Sequence, residues 1–500
     1  MNSKKSEEQI RLEKLQTLRD QKVEPYPSTA RRESTVLEAR NQEGRKVWIA
    51  GKLVSIRDHG KSKFGDLQDE TGKIQLYFKS DILGKEKYDS LALFDVGDYL
   101  EIYGEIFKTH MGEITVRVKN YKLLAKSLLP LPDQWYGFKD IESRYRKRFV
   151  DLLINKDVKK NLEIKSKVVS YLRNFMHKNG FVEVETPTLQ SIPGGAAAKP
   201  FVTHYNILDT DFYLRISPEL YLKRLVVGGF EKVFEIGKVF RNEGLSHMHN
   251  PEFTIFEFYW AYKDYNFLMD FTEKLISKTV KEIKGTSKID FQGNKINFNP
   301  PYRKVSLVDL IKEDSGINIT RLRNFKKLKE EIKRKNIQLD LAEIKTWTKL
   351  VDELWKKVSR PKIVRPTFVL NHPIELSPLA KERDDDKKTA QRFQLVCGEG
   401  FEIVNAYSEL NDPIDQEERM KQQLEYRKAG WEEGERLDAN YIEALKYGMP
   451  PTAGWGMGID RFVMLLTDQY SIKEVIPFPT LRPPKNDTPP RKGELEQGQV

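Results

Sequence analysis

Hydrophobic and polar positions change rhythm several times along the chain. Over the first forty-odd residues charges alternate around Leu12, Leu15 and Leu18 at helical spacing, and the run breaks at Pro25 and Pro27, which predicts a short docking helix. From Lys46 to Leu124 the pattern shortens into β-rich runs, KVWIAGKLVSI, GDLQDETGKIQLYF, GDYLEIYGEIF and GEITVRVKNYKLL, punctuated by Gly, Asp and Asn. About five strands in roughly eighty residues predict a small closed barrel. The prolines of LLPLPDQWYGFKD mark a stiff linker, after which Ile164, Val168, Leu172, Phe175 and Met176 share one face of an amphipathic helix running from Leu162 to Lys178. Beyond it, β-like FVEVETP, KVFEIGKVFRNEG and EFTIFEFYWAY alternate with helical FLMDFTEKLISKTVKEI and LKEEIKRKN, as in an α+β enzyme.

These shifts divide the chain into a helical and linker segment at 1–45, a barrel at 46–125, a linker at 126–142, an α+β domain at 143–484 and a tail at 485–500. The tail is rich in Pro, Gly and charge and is expected to be disordered. Basic and aromatic residues beside strand and loop positions favour an oligonucleotide-binding barrel among small barrels. Lys and Arg number 85 against 74 Asp and Glu, a net charge of +11, which suits a polyanionic partner, while the many acids argue against a simple basic tail binder. The single cysteine, Cys397, excludes an intramolecular disulfide and a cysteine-based zinc cluster. Charges occupy the N-terminal stretch where a signal peptide needs an apolar run, and no segment approaches the roughly 20 apolar residues of a membrane span. A cytosolic protein without a membrane partner is expected.

Several motifs carry candidate chemistry. Gly60-Lys61-Ser62 imitates the end of a phosphate loop, but Ser55 stands where the first glycine is required, so it is rejected. GWGMGIDRF sets Gly454, Gly456 and Gly458 at alternate positions, which in an extended strand strips one face of side chains and lets a flat ligand lie against the backbone, with Arg461 following at a helix start. A strand packed closely on a helix would show the same glycines. In VFEIGKVFRNEGLSHMHNPEFTIFEFYWAY two period-two strands flank a polar loop, a hairpin pattern. Phe253, Ile255, Glu257 and Tyr259 fall on one face of its second strand, and Arg241 and Glu243 on one face of its first. They could line a cleft or form a structural ion-pair ladder. His247 and His249 lack a third ligand at metal-binding spacing, so phosphate or base contact suits them better. Glu402, Asn405, Tyr407 and Glu409 lie on a strand-like run, where Glu402 and Glu409 take opposite faces unless a bulge intervenes.

Together these fragments resemble the class II aminoacyl-tRNA synthetases, and among them the bacterial-type lysyl-tRNA synthetases. The resemblance spans residues 8 to 483 and rests on FVEVETP ending at Pro187, on FRNEG followed by HNPEFT and EFY, and on GWGMGIDR. Lysine specificity is carried by FRNEG, PGGAAAKPF, SPELYLKRL and NAYSELND. The resemblance implies an antiparallel-sheet catalytic domain preceded by an anticodon-binding OB-fold barrel, in a homodimer partly built on the first motif. It implies that Gly195, Glu219, Glu257, Tyr259, Asn405, Tyr407, Glu409, Gly456 and Gly458 surround L-lysine, whose ammonium must exchange hydration for carboxylates. For ATP it implies Arg241 on the α-phosphate, Phe253 stacked on adenine, Glu243, His249 and Asn250 in further contacts, and Arg461 at the far end of the triphosphate.

The implied reaction is attack of the lysine carboxylate on the α-phosphorus of ATP, giving lysyl-adenylate and pyrophosphate, then transfer to the 3′ end of tRNA(Lys). Arg241 and Arg461 are the implied catalytic residues. The family holds magnesium with two glutamates. Glu402 matches one, but Gln394 stands in place of the other, and an extra residue lies between them. Gln394 could ligate through its carbonyl oxygen, Glu399 could replace it, or one ion could bind more weakly. In the barrel the resemblance sets the anticodon against Phe64, Gln75 and Glu113, with Arg57 nearby. Two rival readings are a lysine ligase acting on a protein, which would resemble the catalytic domain alone, and a catalytically weak RNA-binding paralogue.

Overall fold

The computed structural model describes residues 5–131, 140–342, 344–428 and 436–483. The predicted disordered tail and most of the proline-rich linker lie outside them. Contacts divide the chain into two units, Met1–Lys139 and Asp140–Val500. Among the described residues no helix is long and apolar enough to cross a membrane.

In the first unit, α1 (Glu7–Asp20) starts at Ser6, whose hydroxyl accepts from the Gln9 backbone while the Gln9 side chain accepts from the Ser6 backbone. Leu15 and Leu18 are buried as expected, but Leu12 is exposed. Arg11 takes the inner face instead, donating to the carbonyls of Val96, Ser127 and Leu129 at 3.1, 3.3 and 3.3 Å. Five strands, β1 (Lys46–Asp58), β2 (Ser62–Gln68), β3 (Lys73–Lys79), β4 (Tyr99–Lys108) and β5 (Ile114–Ala125), close a barrel in the order β1-β2-β3-β5-β4. Period-two alternation drives Ile74, Leu76 and Phe78 of β3 inward, leaving Gln75 and Tyr77 on the outer face.

In the second unit the amphipathic helix α2 runs from Lys156 to Lys178, six residues longer at its start than expected. Its Val168, Leu172 and Met176 are buried in a core shared with the inner faces of the main sheet. That sheet uses β6 (Val182–Glu183), β7 (Lys232–Phe240), β8 (Glu252–Ala261), β9 (Arg303–Ser306), β10 (Thr367–Leu370), β11 (Arg392–Cys397), β12 (Phe401–Ser408) and β13 (Thr452–Gly458). The order is β9-β10-β11-β12-β13-β8-β7-β6, antiparallel throughout except for a parallel pair at each edge. Helix α3 (Glu219–Val227) leads into β7, α4 (Tyr265–Lys284) packs on the core, and α5 (Phe325–Arg334) and α6 (Trp347–Leu354) belong to a satellite apolar cluster. Helix α7 (Ile459–Leu466) starts directly where β13 ends.

Candidate active site

A cleft of about 870 Å³ opens over the centre of this sheet. Its floor follows from register. On β13, Gly454 and Gly456 pair with Tyr407 and Asn405 of β12 on one side and with Tyr259 and Glu257 of β8 on the other. Side chains therefore rise in two rows beside a bare central strand, and the alternate glycines form the trough between them. A Cβ on Gly454 would lie 1.9 Å from Glu409 Oε1 and 2.6 Å from Tyr259 Cε1, whereas one on Gly458 meets nothing within 4 Å. Gly454 is thus the most crowded of the three, although the lysine site read from the resemblance assigned only Gly456 and Gly458.

The expected hairpin is present, with Glu235 opposite Glu257. Its first strand stops at Phe240, however, so Arg241 and Glu243 do not share a strand face. The chain turns there, with the Glu243 N–H donating to the Arg241 carbonyl at 2.9 Å, and both residues still line the cleft. The odd spacing of Glu402 and Glu409 is resolved by the bulge allowed for. The β11–β12 register shifts between Leu395 and Val396, so Glu402, Asn405 and Tyr407 all reach the cleft.

One end of the cleft is acidic. Glu257 is buried on the sheet, and the Ser217 hydroxyl donates to its carboxylate at 3.0 Å. Burial pushes its pKa up to about 8, reinforced by Glu219 and opposed by the Ser217 hydrogen bond and Arg241. Tyr407 donates to Glu219 Oε1 at 2.7 Å. Glu409 does not line the cleft; almost fully buried, its carboxylate sits beside the Tyr259 ring on the face of Gly454 that a Cβ would occupy. Burial drives its pKa well above the usual carboxylate range, against the pull of Lys223. The Lys223 ammonium joins the two carboxylates, donating to Glu219 at 2.6 Å and forming an ion pair with Glu409. Arg392 Nε donates to Asn405 Oδ1 at 2.8 Å and fixes that amide. Gly195, in a left-handed backbone conformation, closes this end against Ser217 and Glu219.

The opposite end is basic. The Arg241 guanidinium lies 5.1 Å over the Phe253 ring, and its Nη2 reaches the Ile216 carbonyl at 3.4 Å. Arg461, at the start of α7, contacts His249 Nε2 at 3.0 Å. Since arginine can only donate, Nε2 is the acceptor, and Nδ1–H donates to Ser246 Oγ at 2.9 Å. Burial, Arg461, Arg360 and Lys356 push His249 down to about 4, consistent with that neutral ring. His247 stacks on Tyr470 instead, with centroids 4.4 Å apart. Asn250 lines the cleft, but its amide donates to the Glu252 carbonyl at 2.6 Å and its oxygen accepts from Thr480 N–H at 3.1 Å, so it braces the loop.

The magnesium implied by the resemblance meets a mismatched donor set. Among the described residues no three His, Cys, Asp or Glu side chains converge as a metal-holding group. Gln394 Oε1 accepts from His372 Nε2 at 3.2 Å, Glu402 Oε2 faces Arg360 Nη1 at 3.8 Å, and Glu399 Oε1 accepts from Asn294 at 2.8 Å. These residues do not fit an ion gripped by two carboxylates.

On the barrel, Phe64 and Tyr77 pair across β2 and β3 with ring centroids 5.0 Å apart, and Tyr77 leads to Phe107 at 6.2 Å. Gln75 accepts from Thr115 Oγ1 at 2.9 Å, Arg57 lies 3.8 Å from Asp66, and Glu113 lies 3.4 Å from Arg40. The four residues expected at an anticodon site are therefore all on or beside the strands around this aromatic strip.

Sequence reasoning missed Ser217, Lys223, Lys356, Arg360 and Arg392. Lys223 follows Glu219 by four residues on a helix, a spacing that signals a pair. Lys356 and Arg360 are joined to the cleft only by tertiary folding.

A family model described as tRNA synthetases class II (D, K and N) matches residues 140–482, and one described as OB-fold nucleic acid binding domain matches residues 47–124. The chain is 48% identical over 478 residues to a lysine–tRNA ligase of Pelotomaculum thermopropionicum, covering 95% of this chain and 94% of that one. It is 47% identical over 481 residues to one of Syntrophomonas wolfei, covering 95% and 96%, and 45% identical over 502 residues to one of Thermotoga maritima, covering 98% of each.

Proposed function

The chain belongs to the class II tRNA synthetases of the D, K and N group, and from that premise we propose that it activates L-lysine with ATP and transfers it to tRNA(Lys). The observation that carries this reading is the polarity of one cleft: buried Glu219 and Glu257 at one end and Arg241 and Arg461 at the other. A free lysine presents an ammonium to the first, and a polyphosphate suits the second.

The lysine carboxylate is ionised at neutral pH, so its attack on the α-phosphorus needs no general base. One P–O bond forms, the bond to the β-phosphate bridge breaks, and pyrophosphate leaves. Arg241 supports the α-phosphate and Arg461 the leaving end, so that rate comes from positioning and charge stabilisation. Phe253 offers its face to adenine. The terminal ribose hydroxyl of tRNA then attacks the acyl carbon, and AMP departs. The barrel, with its strip of Phe64, Tyr77 and Phe107, reads splayed anticodon bases.

The reading includes action in the cytosol as a homodimer. Exposed Phe149, Val182, Leu189, Val202 and Ile207, on segments around the first motif, support a second copy as the partner that covers them. The barrel and the similarity along nearly the whole chain weigh against a ligase acting on protein. The deciding experiment is amino-acid-dependent pyrophosphate exchange across all twenty amino acids, followed by charging of tRNA(Lys). Exchange with lysine and charging are expected; exchange with another amino acid, or none, refutes the assignment.

A further inference from the structure

Two departures from the family pattern lie beside one cation, Arg360. Gln394 stands where a second metal-holding glutamate is expected, and an extra residue lies between it and Glu402. Between Gln394 and Glu402 the chain makes the turn Gly398-Glu399-Gly400, where all three residues adopt positive φ. The turn is fastened to the segment after α6. Gly398 N–H donates to the Val364 carbonyl at 2.8 Å, Glu399 N–H to the Ile363 carbonyl at 2.9 Å, and Arg360 Nε to the Gly400 carbonyl at 2.7 Å. A Cβ on Gly400 would lie 3.0 Å from the Arg360 carbonyl, so the approach is close and glycine suits it.

This fastening aims a fixed cation at the cleft. Arg360 keeps its Nη1 3.8 Å from Glu402 and is one-fifth exposed, in a cleft that Arg241, Arg461 and Lys356 also line. Lys356 itself is held by Asp352 at 2.7 Å. Arg360 and His249 line the same cleft, and the charge of Arg360 contributes to the lowered proton affinity of His249. A neutral amide at 394, an anchored guanidinium at 360 and a single carboxylate at 402 form a site short of one negative charge and provided with a positive one.

We propose that Arg360 binds the β- and γ-phosphates of ATP, supplying in this chain charge that a carboxylate-held ion would otherwise bring. The guanidinium fork matches phosphate oxygens, and its Nε bond to Gly400 holds it in place before the nucleotide arrives. Magnesium that travels with ATP is then part of the substrate, and the protein depends less on a resident ion. The inference rests on the ATP-dependent reading of the cleft.

The test compares the parent protein with Arg360→Ala and Arg360→Lys by calorimetric titration of ATP, AMP and L-lysine in a metal chelator, together with pyrophosphate exchange against free magnesium. Arg360→Ala should weaken ATP binding in chelator by about tenfold, leave AMP and lysine affinity unchanged, and raise the magnesium needed for half-maximal exchange. Arg360→Lys should retain most ATP affinity. Unchanged ATP affinity in Arg360→Ala overturns the proposal. If Arg360→Ala loses all three ligands because the turn collapses, Arg360→Lys decides: retained ATP affinity supports the charge, and an equal loss assigns Arg360 to holding the turn and overturns the proposal. Absence of lysine-dependent exchange in the parent would defeat the underlying reading separately.

Discussion

The ammonium of Lys223 donates to Glu219 at 2.6 Å and pairs with Glu409, in a side chain with no solvent exposure. The rings of Tyr407, Tyr441 and Tyr259 lie 5.6, 5.8 and 6.0 Å from it. Burial alone would strip its proton, but the two carboxylates outweigh burial and raise its pKa well above the ordinary value. Glu219, Glu257 and Glu409 bring three carboxyl groups, and Lys223 supplies one internal cation. The remaining acidity is what a substrate ammonium can use. Replacing Lys223 with Met leaves buried carboxylates without that cation, a change that typically costs about 3–5 kcal/mol. Thermal melts should show Lys223→Met strongly destabilised, with partial recovery in saturating L-lysine. A melting temperature equal to that of the parent would remove Lys223 from this role.

Glu257 predicts a proton linked to lysine binding. Its folded pKa, about 8, lies above the ordinary glutamate value of 4.5, so at neutral pH the folded, ligand-free protein holds a proton that the unfolded chain has lost. Stability contributed by this group is present below the unfolded pKa and is lost as pH rises through about 8. An ammonium beside Glu257 favours the ionised form, so lysine binding near pH 7 should release a proton. Calorimetry in buffers of different ionisation enthalpy should give a buffer-dependent binding enthalpy, abolished in Glu257→Gln. A buffer-independent enthalpy in the parent would show that Glu257 is already ionised.

Much of the site was legible because strand geometry allows few choices. Once Phe253 to Tyr259 read as a strand, Glu257 and Tyr259 had to share a face, and the alternate glycines of GWGMG had to bare another. Glu402 was harder to place. A bulge was needed to bring it round with Asn405 and Tyr407, and only pairing with β11 places that bulge, between the Leu395–Val404 and Val396–Glu402 pairs. At α1 the leucine spacing pointed inward at Leu12, but Arg11 could satisfy three carbonyls from that side and took the position. Arg360 had no local signal at all, since its meaning comes from Gly400, forty residues away in the chain.

The glycines of β13 should tolerate substitution unequally. Alanine at 454 must displace the Glu409 carboxylate and the Tyr259 ring, because its Cβ would lie 1.9 and 2.6 Å from them. Both groups belong to the acidic end, so Gly454→Ala should raise the KM for lysine by at least an order of magnitude, with loss of stability of about 1–3 kcal/mol. Gly458→Ala meets open space and should melt with the parent. Equal lysine KM values for Gly454→Ala and the parent would show that the trough is wider than this geometry requires.

Phe64 separates tRNA recognition from amino-acid activation. Its ring and that of Tyr77 make a tilted pair on the outer face of the barrel, with Phe107 beyond and Arg117 lying 4.6 Å over the Phe107 ring. Such a strip supports unstacked bases by area, at about 1–3 kcal/mol per base, while basic neighbours contact the backbone and carry the salt dependence. Phe64→Ala should therefore raise the KM for tRNA(Lys) in charging by roughly 10- to 100-fold with little change in salt slope. Pyrophosphate exchange involves no tRNA and depends on residues of the other folding unit, so it should stay at the parental rate. Charging at parental efficiency would move base recognition off this strip, and a parallel fall in exchange would mean that the substitution had damaged the protein rather than its contact with tRNA.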